Sequence, residues 1–172
     1  MWKDELKEKL EECGAIKFGD FILASGKKSS YYVDIKKAAT KVEVLKLMAK
    51  YLSKEVKGDI IGGVELGAVP LTVAVALELG KDYLIIRKES KEHGTRKMVE
   101  GEFKKGTTVD IIEDVITTGG SVLRAVRILR DLGLNVERVI CVVDREEGGH
   151  ENLKNEGVKL ISLLRASDLN LN

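Results

Sequence analysis

Residues 109–121 read Val-Asp-Ile-Ile-Glu-Asp-Val-Ile-Thr-Thr-Gly-Gly-Ser, and few folds can use such a run. The apolar residues at its start predict a buried parallel strand over 107–112. Two adjacent carboxylates, Glu113 and Asp114, close it. A loop of Thr, Gly and Ser follows, and a helical pattern over 121–132 begins at once, stopped by Gly133. In open α/β sheets the C-terminal ends of strands are where ligands bind. Small loop residues let backbone N–H groups close around a phosphate, and the next helix begins with unpaired donors and a positive dipole end. The acids can accept hydrogen bonds from sugar hydroxyls or hold a hydrated Mg²⁺. Together these parts suit a phosphorylated sugar. No Gly-Lys-Ser/Thr follows the glycines, so the loop is not a Walker A loop, and no Gly-x-Gly-x-x-Gly opens a first βα turn.

The rest of the chain supplies alternating elements. A helix is predicted over 2–13 with Gly14 as its stop, then a hairpin around 25–28. A second helix is carried by Val42, Leu45, Leu47, Met48, Leu52 and Val56, followed by a strand over 59–64. Pro70 suits the first turn of a helix that runs to Leu79. Strands are expected over 83–86, 137–143 and 158–164, with a short helix over 150–156 before the last. Strands alternating with helices predict an α/β fold built on a parallel sheet with right-handed crossovers. The 172 residues are expected to form one domain.

Charge and composition exclude several classes. A net charge of +1 gives no basic footprint for nucleic acid or a membrane surface. No apolar run is long enough to span a bilayer and no secretory signal is visible, so a cytoplasmic location is the expectation. Cys13 and Cys141 are too few for a disulfide framework or a Cys-based zinc site, and Cys141 reads as a small buried hydrophobe. Two histidines exclude a His-rich metal site, and His150 reads as a surface residue. Asp110 conflicts with its surroundings: a carboxylate inside a buried strand must find a partner, or that strand face is wet.

Residues 88–105 are polar, charged and without period, which predicts a long loop. It follows a strand directly and brings Arg87, Lys88, Lys91 and His93 together. Such a cluster can neutralise a diphosphate, Arg with forked hydrogen bonds and Lys with a compact charge. Glu89 and Glu92 nearly balance the cluster, so a solvated charge run is the alternative reading.

The stretch from Glu113 to Gly119 closely resembles the phosphoribosyl-pyrophosphate (PRPP) motif of type I phosphoribosyltransferases. Residues 87–94 resemble the catalytic loop of the orotate phosphoribosyltransferases, with its Arg-Lys-x-x-Lys-x-His-Gly pattern. The resemblance covers nearly the whole chain. It implies the type I phosphoribosyltransferase fold: a central, mainly parallel sheet flanked by helices, with a small N-terminal hood formed mainly by residues 1–40. It also implies transfer of the 5-phosphoribosyl group from PRPP to orotate, giving orotidine 5′-monophosphate and pyrophosphate in pyrimidine nucleotide synthesis. The PRPP-binding residues so implied are Arg87, Lys88, Lys91, His93, Glu113, Asp114, Val115, Ile116, Thr117, Thr118, Gly119, Gly120 and Ser121. Lys91, His93 and Asp114 carry the catalytic expectation. Orotate is implied to meet Thr117, Arg145, Tyr31 and Tyr32, with Arg145 on its carboxylate. Residues 63–70 resemble the loop that binds pyrophosphate. Mg²⁺ is the implied cofactor, held by PRPP and reached through water from Glu113 and Asp114 rather than by a direct protein ligand. The implied partner is a second copy, in a homodimer whose catalytic loop is shared between subunits.

Two departures accompany the resemblance. Bacterial members of that family often carry a lysine where this chain has Ala24, and many also carry one at the position of Gly67. The pyrophosphate would then depend more on Arg87, Lys88, Lys91 and His93, with Lys27 or Lys28 as substitutes. Two other functions share the motif: transfer to another nucleobase, and non-catalytic sensing of PRPP by a regulator. Arg145 and the hood favour an acidic pyrimidine, and the absence of a DNA-binding segment disfavours the regulator.

Overall fold

The computed structural model describes residues 1–23, 26–89 and 97–169. Helix α1 (Trp2–Glu12) is followed by strands β1 (Ile16–Ile22) and β2 (Lys28–Val33), which form a separate two-stranded antiparallel sheet. The expected hairpin is present. Helices α2 (Ile35–Ala39) and α3 (Val42–Glu55) lead to β3 (Ile60–Val64), α4 (Val69–Leu79) and β4 (Tyr83–Ile86). Strands β5 (Val99–Glu100) and β6 (Thr108–Ile116), helix α5 (Gly120–Asp131), β7 (Asn135–Asp144), α6 (Gly149–Asn155) and β8 (Lys159–Arg165) complete the order, closed by a 3-10 turn (Ala166–Leu169).

Six strands form the main sheet in the order β5-β4-β3-β6-β7-β8. All pairs are parallel except β4 with β5. The α/β expectation, a mainly parallel sheet flanked by helices, is met. Strand order reverses between β3 and β6: from β3 the chain builds outward to β4, from β6 outward to β7 and β8. That reversal opens a crevice at the C-terminal ends of β3 and β6.

Period-two alternation along β6 divides the core. Val109 and Ile111 point to one face and pack with Val122, Val126, Leu129 and Leu153 from α5 and α6. Ile112 points to the other and packs with Leu52, Leu71 and Val75 from α3 and α4. Tyr31 and Ile35 join the same cluster, so the hairpin and α2 are anchored to the sheet by buried apolar contact. Cys141 is fully buried beside Glu113 in register, as its apolar run predicts, and His150 is exposed.

Three expectations need correction. The strand predicted over 107–112 runs on to Ile116, so Glu113 and Asp114 lie within it rather than after it. The reason is pairing: Val115 and Ile116 stay in register with Val143 and Asp144 of β7, and this tertiary constraint overrides the local polarity. The loop predicted over 88–105 contains β5, whose Val99 is buried against β4. Helix α2 was not predicted at all. It is a single anchored turn that Asp34 caps by accepting from the Lys37 N–H at 3.2 Å.

The buried Asp110 finds partners for one of its two oxygens; Oδ1 has none among the described residues. Its Oδ2 accepts from the backbone N–H groups of Lys57 at 2.7 Å and Gly58 at 2.9 Å, and Arg138 Nε lies 3.7 Å away. Gly58 must be glycine, because a Cβ there would sit 2.9 Å from the Asp110 nitrogen. The strand face at Asp110 is dry, with the carboxylate fully buried.

Candidate active site

A cavity of about 390 Å³ occupies the crevice between β3 and β6. Its walls include Val64, Glu65 and Gly67 from the end of β3, Glu113, Asp114 and Val115 from β6, and Thr117 and Ser121 from the loop into α5. Lys88, from the end of β4, and Val33, Ile35 and Lys36, from β2 and α2, complete it. The fold therefore gathers the acid pair, the phosphate loop and one cation of the basic segment, as the sequence predicts.

The acids differ. Glu113 is buried, and that burial, followed by the charge of Asp114, pushes its carboxyl well above the usual carboxylate range. The Lys88 charge acts the other way but does not cancel the first two effects. Asp114 is partly exposed; its Oδ1 accepts from the Val115 N–H at 2.9 Å, and its Oδ2 lies 4.0 Å from the Lys36 ammonium. A Cβ on Gly67 would collide with Asp114 Oδ2, so the glycine leaves the space that this carboxylate occupies.

The phosphate loop is braced from behind. Gly119 holds φ 82° at the N-cap of α5, a conformation that glycine adopts freely. The Gly149 N–H donates to the Thr117 carbonyl at 3.1 Å, and Asn152 Nδ2 donates to the Thr118 carbonyl at 2.8 Å. A Cβ on Gly149 would collide with Ile116, so α6 packs directly against the loop. With these carbonyls tied back, Thr117, Gly120 and Ser121 are left exposed at the helix start, whose first N–H groups have no partner inside the helix. Ile116 is buried beneath them.

Beside the cavity lies a second constellation. The Arg145 N–H donates to the Ile116 carbonyl at 2.9 Å, which fixes this residue next to the phosphate loop. Its guanidinium carbon stands 4.1 Å above the Tyr31 ring, and Nη2 donates to Ser29 Oγ at 3.2 Å. Arg145 is only 7% exposed, and its buried Nε has no hydrogen-bond partner, with Glu147 Oε2 at 3.6 Å. A buried cation whose Nε donor is unpaired among the described residues is suited to bind a planar carboxylate in place of its loose contact with Glu147. Tyr32 points the other way, its ring 5.9 Å from that of Phe21 and 43% exposed, so the structure separates the aromatic pair.

Arg87 does not line the cavity. Its Nε and Nη2 both donate to Glu100 Oε1, at 3.1 and 2.9 Å. Lys91 and His93, both expected in catalysis, lie outside the described residues. Sequence reasoning missed Ser29, Lys36 and Glu100, and placed Glu65 only as part of the 63–70 loop. Glu65 accepts from the Lys88 N–H at 2.8 Å and so ties the ends of β3 and β4 together. The Asp34 cap and the Ala38-Ala39 pair mark a helical turn around Lys36, but nothing local marks it as a site residue.

Mg²⁺ can be tested against these donors. Among the described residues no group of three or more His, Cys, Asp or Glu is placed to hold a metal ion. The hard oxygens of Glu65, Glu113 and Asp114 face the cavity without forming a cage. This fits a hydrated cation that arrives with phosphate ligands, the usual habit of Mg²⁺.

A braced phosphate loop behind paired acids, at the switch point of a parallel sheet, is the arrangement of a phosphoribosyltransferase. The family model described as "Phosphoribosyl transferase domain" matches residues 32–162. The chain is 53% identical over 164 residues to the orotate phosphoribosyltransferase of Thermoplasma acidophilum, covering 95% of both. It is 51% identical over 172 residues to that of Pyrococcus abyssi, covering 97% of this chain and 94% of the relative. The crystal structure of orotate phosphoribosyltransferase from Aeropyrum pernix is similar, with a TM-score of 0.86, 34% identity and 95% coverage of each chain. So is that of the Mycobacterium tuberculosis enzyme in complex with PRPP, with a TM-score of 0.81, 31% identity, and coverage of 99% of this chain and 100% of that one. The chain belongs to the orotate phosphoribosyltransferase family.

Proposed function

We propose that this chain transfers the 5-phosphoribosyl group of PRPP to orotate, forming orotidine 5′-monophosphate and pyrophosphate in pyrimidine nucleotide synthesis. The observation that carries the base is Arg145: a buried guanidinium whose Nε has no hydrogen-bond partner among the described residues, with Glu147 at 3.6 Å, seated on the Tyr31 ring next to the phosphate loop. An acidic pyrimidine supplies the planar carboxylate that this guanidinium binds.

The chain's residues divide the work. The N–H groups and hydroxyls of Thr117, Gly120 and Ser121 hold the 5′-phosphate at the start of α5. Glu113 and Asp114 take the ribose hydroxyls, and Asp114 places negative charge beside the ring as the bond from C1 to diphosphate breaks. Lys88 meets the diphosphate, with Lys91 and His93 as its proposed partners there. Glu113 and Asp114 would hold a hydrated Mg²⁺ through water, and such an ion would supply positive charge to offset that of the departing diphosphate. Arg145 and Tyr31 hold orotate so that its ring nitrogen attacks C1, and fixing both reactants in line removes several kcal/mol of the barrier.

A homodimer is part of the proposal. Leu66, 71% exposed beside the cavity, and Leu77, 81% exposed on α4, offer apolar surface for a second copy to cover. No helix among the described residues is long and apolar enough to cross a membrane, which agrees with a proposed cytoplasmic location.

The test is loss of orotate absorbance with purified protein, PRPP and Mg²⁺, each omitted in turn. Loss that needs every component, and that Arg145→Ala abolishes for orotate, supports the reading. Turnover of another nucleobase with no turnover of orotate would replace it.

A further inference from the structure

We infer that Lys36 is a substrate-binding residue that meets the diphosphate of PRPP; the inference rests on the transferase reading above and deepens it. The charge balance of the cavity raises the question. Among its described lining residues, three carboxylates (Glu65, Glu113 and Asp114) face two ammonium groups, Lys36 and Lys88. A site for a ligand carrying several phosphate charges needs every cation it has. Lys88 comes from the end of β4, and Lys36 comes from α2.

The placement of Lys36 is built rather than incidental. Its turn is held down by Ile35, Ala38 and Ala39, all buried, and capped by Asp34. Its stem crosses Gly67: a Cβ added there would lie 3.2 Å from Lys36 Cγ. The side chain thus fills the space that a larger residue at position 67 would take. Its ammonium reaches to 4.0 Å from Asp114 Oδ2 yet is 61% exposed, so it is steered by the carboxylate without being locked to it. Position selects which phosphate it serves. The 5′-phosphate loop at Thr117 to Ser121 lies at the start of α5, whereas Lys36 stands over Gly67, in the loop after β3 and next to the acid that takes the ribose. From there it reaches the group leaving C1, not the far end of the sugar.

Lys36 was invisible as a site residue in the sequence because it sits 78 positions before Asp114, as one lysine among many. Contact in three dimensions singles it out.

The test is equilibrium binding of three probes to the native chain, Lys36→Ala and Lys36→Arg, each with Mg²⁺: PRPP, inorganic pyrophosphate and ribose 5-phosphate. Lys36→Ala is expected to weaken PRPP and pyrophosphate by about tenfold or more, the scale of one charge-assisted hydrogen bond. Ribose 5-phosphate, which keeps the hydroxyls and the 5′-phosphate but lacks the diphosphate, is expected to bind unchanged, and Lys36→Arg to recover most of the loss. Thermal melting of each variant checks that the exposed substitution leaves the fold intact. Unchanged PRPP and pyrophosphate binding in Lys36→Ala would overturn the inference. So would an equal loss for ribose 5-phosphate, because a lysine that only orients Asp114 weakens sugar binding too. Failure of the native chain to bind pyrophosphate and PRPP would overturn it as well. These readouts need no orotate: a chain that binds PRPP through Lys36 but does not consume orotate keeps this inference and loses the proposed base.

Discussion

Strand β6 carries a buried carboxylate near each end, and the two are treated in opposite ways. Near the N-terminal end, the chain itself holds one oxygen of Asp110, with two backbone N–H donors on Oδ2 and Arg138 nearby, while the buried Oδ1 has no hydrogen-bond partner among the described residues. Near the C-terminal end, Glu113 is buried with a like charge beside it in Asp114, and the Asp114 backbone hydrogen bond and the Lys88 charge offset these only in part. The first carboxylate joins the strand to the loop before β3 and completes the fold. The second is buried at the cavity wall beside a like charge, which favours its protonated form. Backbone donors from a distant loop make the first a structural group; burial and a like charge at the cavity wall make the second one poised for a ligand.

The comparison can be broken at either end. The largest expected effect is on stability, at Asp110. Asp110→Ala strands two N–H groups and a nearby guanidinium, and should destabilise the chain by about 3–5 kcal/mol in chemical denaturation. Turnover per folded molecule should stay near native; a selective loss of turnover would move Asp110 into the site. Next is Asp114→Asn, which should lower kcat by about a hundredfold or more, the scale of removing one electrostatic group from a reaction centre. Its unfolding free energy should change by only about 0.5 kcal/mol, as for other partly exposed positions. Gly67→Ala puts a methyl where Asp114 Oδ2 now lies, so PRPP affinity should fall about tenfold while the melting temperature holds. A variant that binds PRPP normally would show that the carboxylate moves aside freely.

The smallest effect sharpens the contrast most. Because the Glu113 carboxyl is raised in the folded chain, the folded state binds its proton more tightly than the unfolded state does. Stability linked to that proton is fully present below the ordinary carboxylate range. It is lost as pH rises from there through the raised value. Glu113→Gln removes this dependence. The variant should melt near the native temperature in acid, and above it at neutral pH in the absence of ligand. A melting curve for Glu113→Gln that tracks the native one at every pH would mean the buried acid already has a partner.

Much of this contrast was legible in the sequence. Glu113, Asp114 and the Thr-Gly-Ser loop form one contiguous run, and contiguous runs carry their own spacing. Arg145 was visible through its resemblance to the family, although its burial was not. Asp110 stood out as a misfit, yet its remedy lies some fifty positions away at Lys57 and Gly58. The misread loop has the same origin. Two residues, Val99 and Glu100, are too few to show a period, and they become a strand only because β4 offers an open edge.

The sequence by itself determined the alternation of strands and helices, the apolar faces of the sheet and the order of the phosphate loop. Each of these rests on local spacing: period two, period 3.6, or residues in direct succession. Only the tertiary structure decided which cation faces which acid. It put Arg87 on Glu100, Arg145 on Tyr31 and Lys36 over Gly67, and it carried β6 beyond its apolar run by pairing it with β7. Such contacts join residues far apart in the chain. Their energies depend on burial and distance, which exist only once the chain has closed on itself.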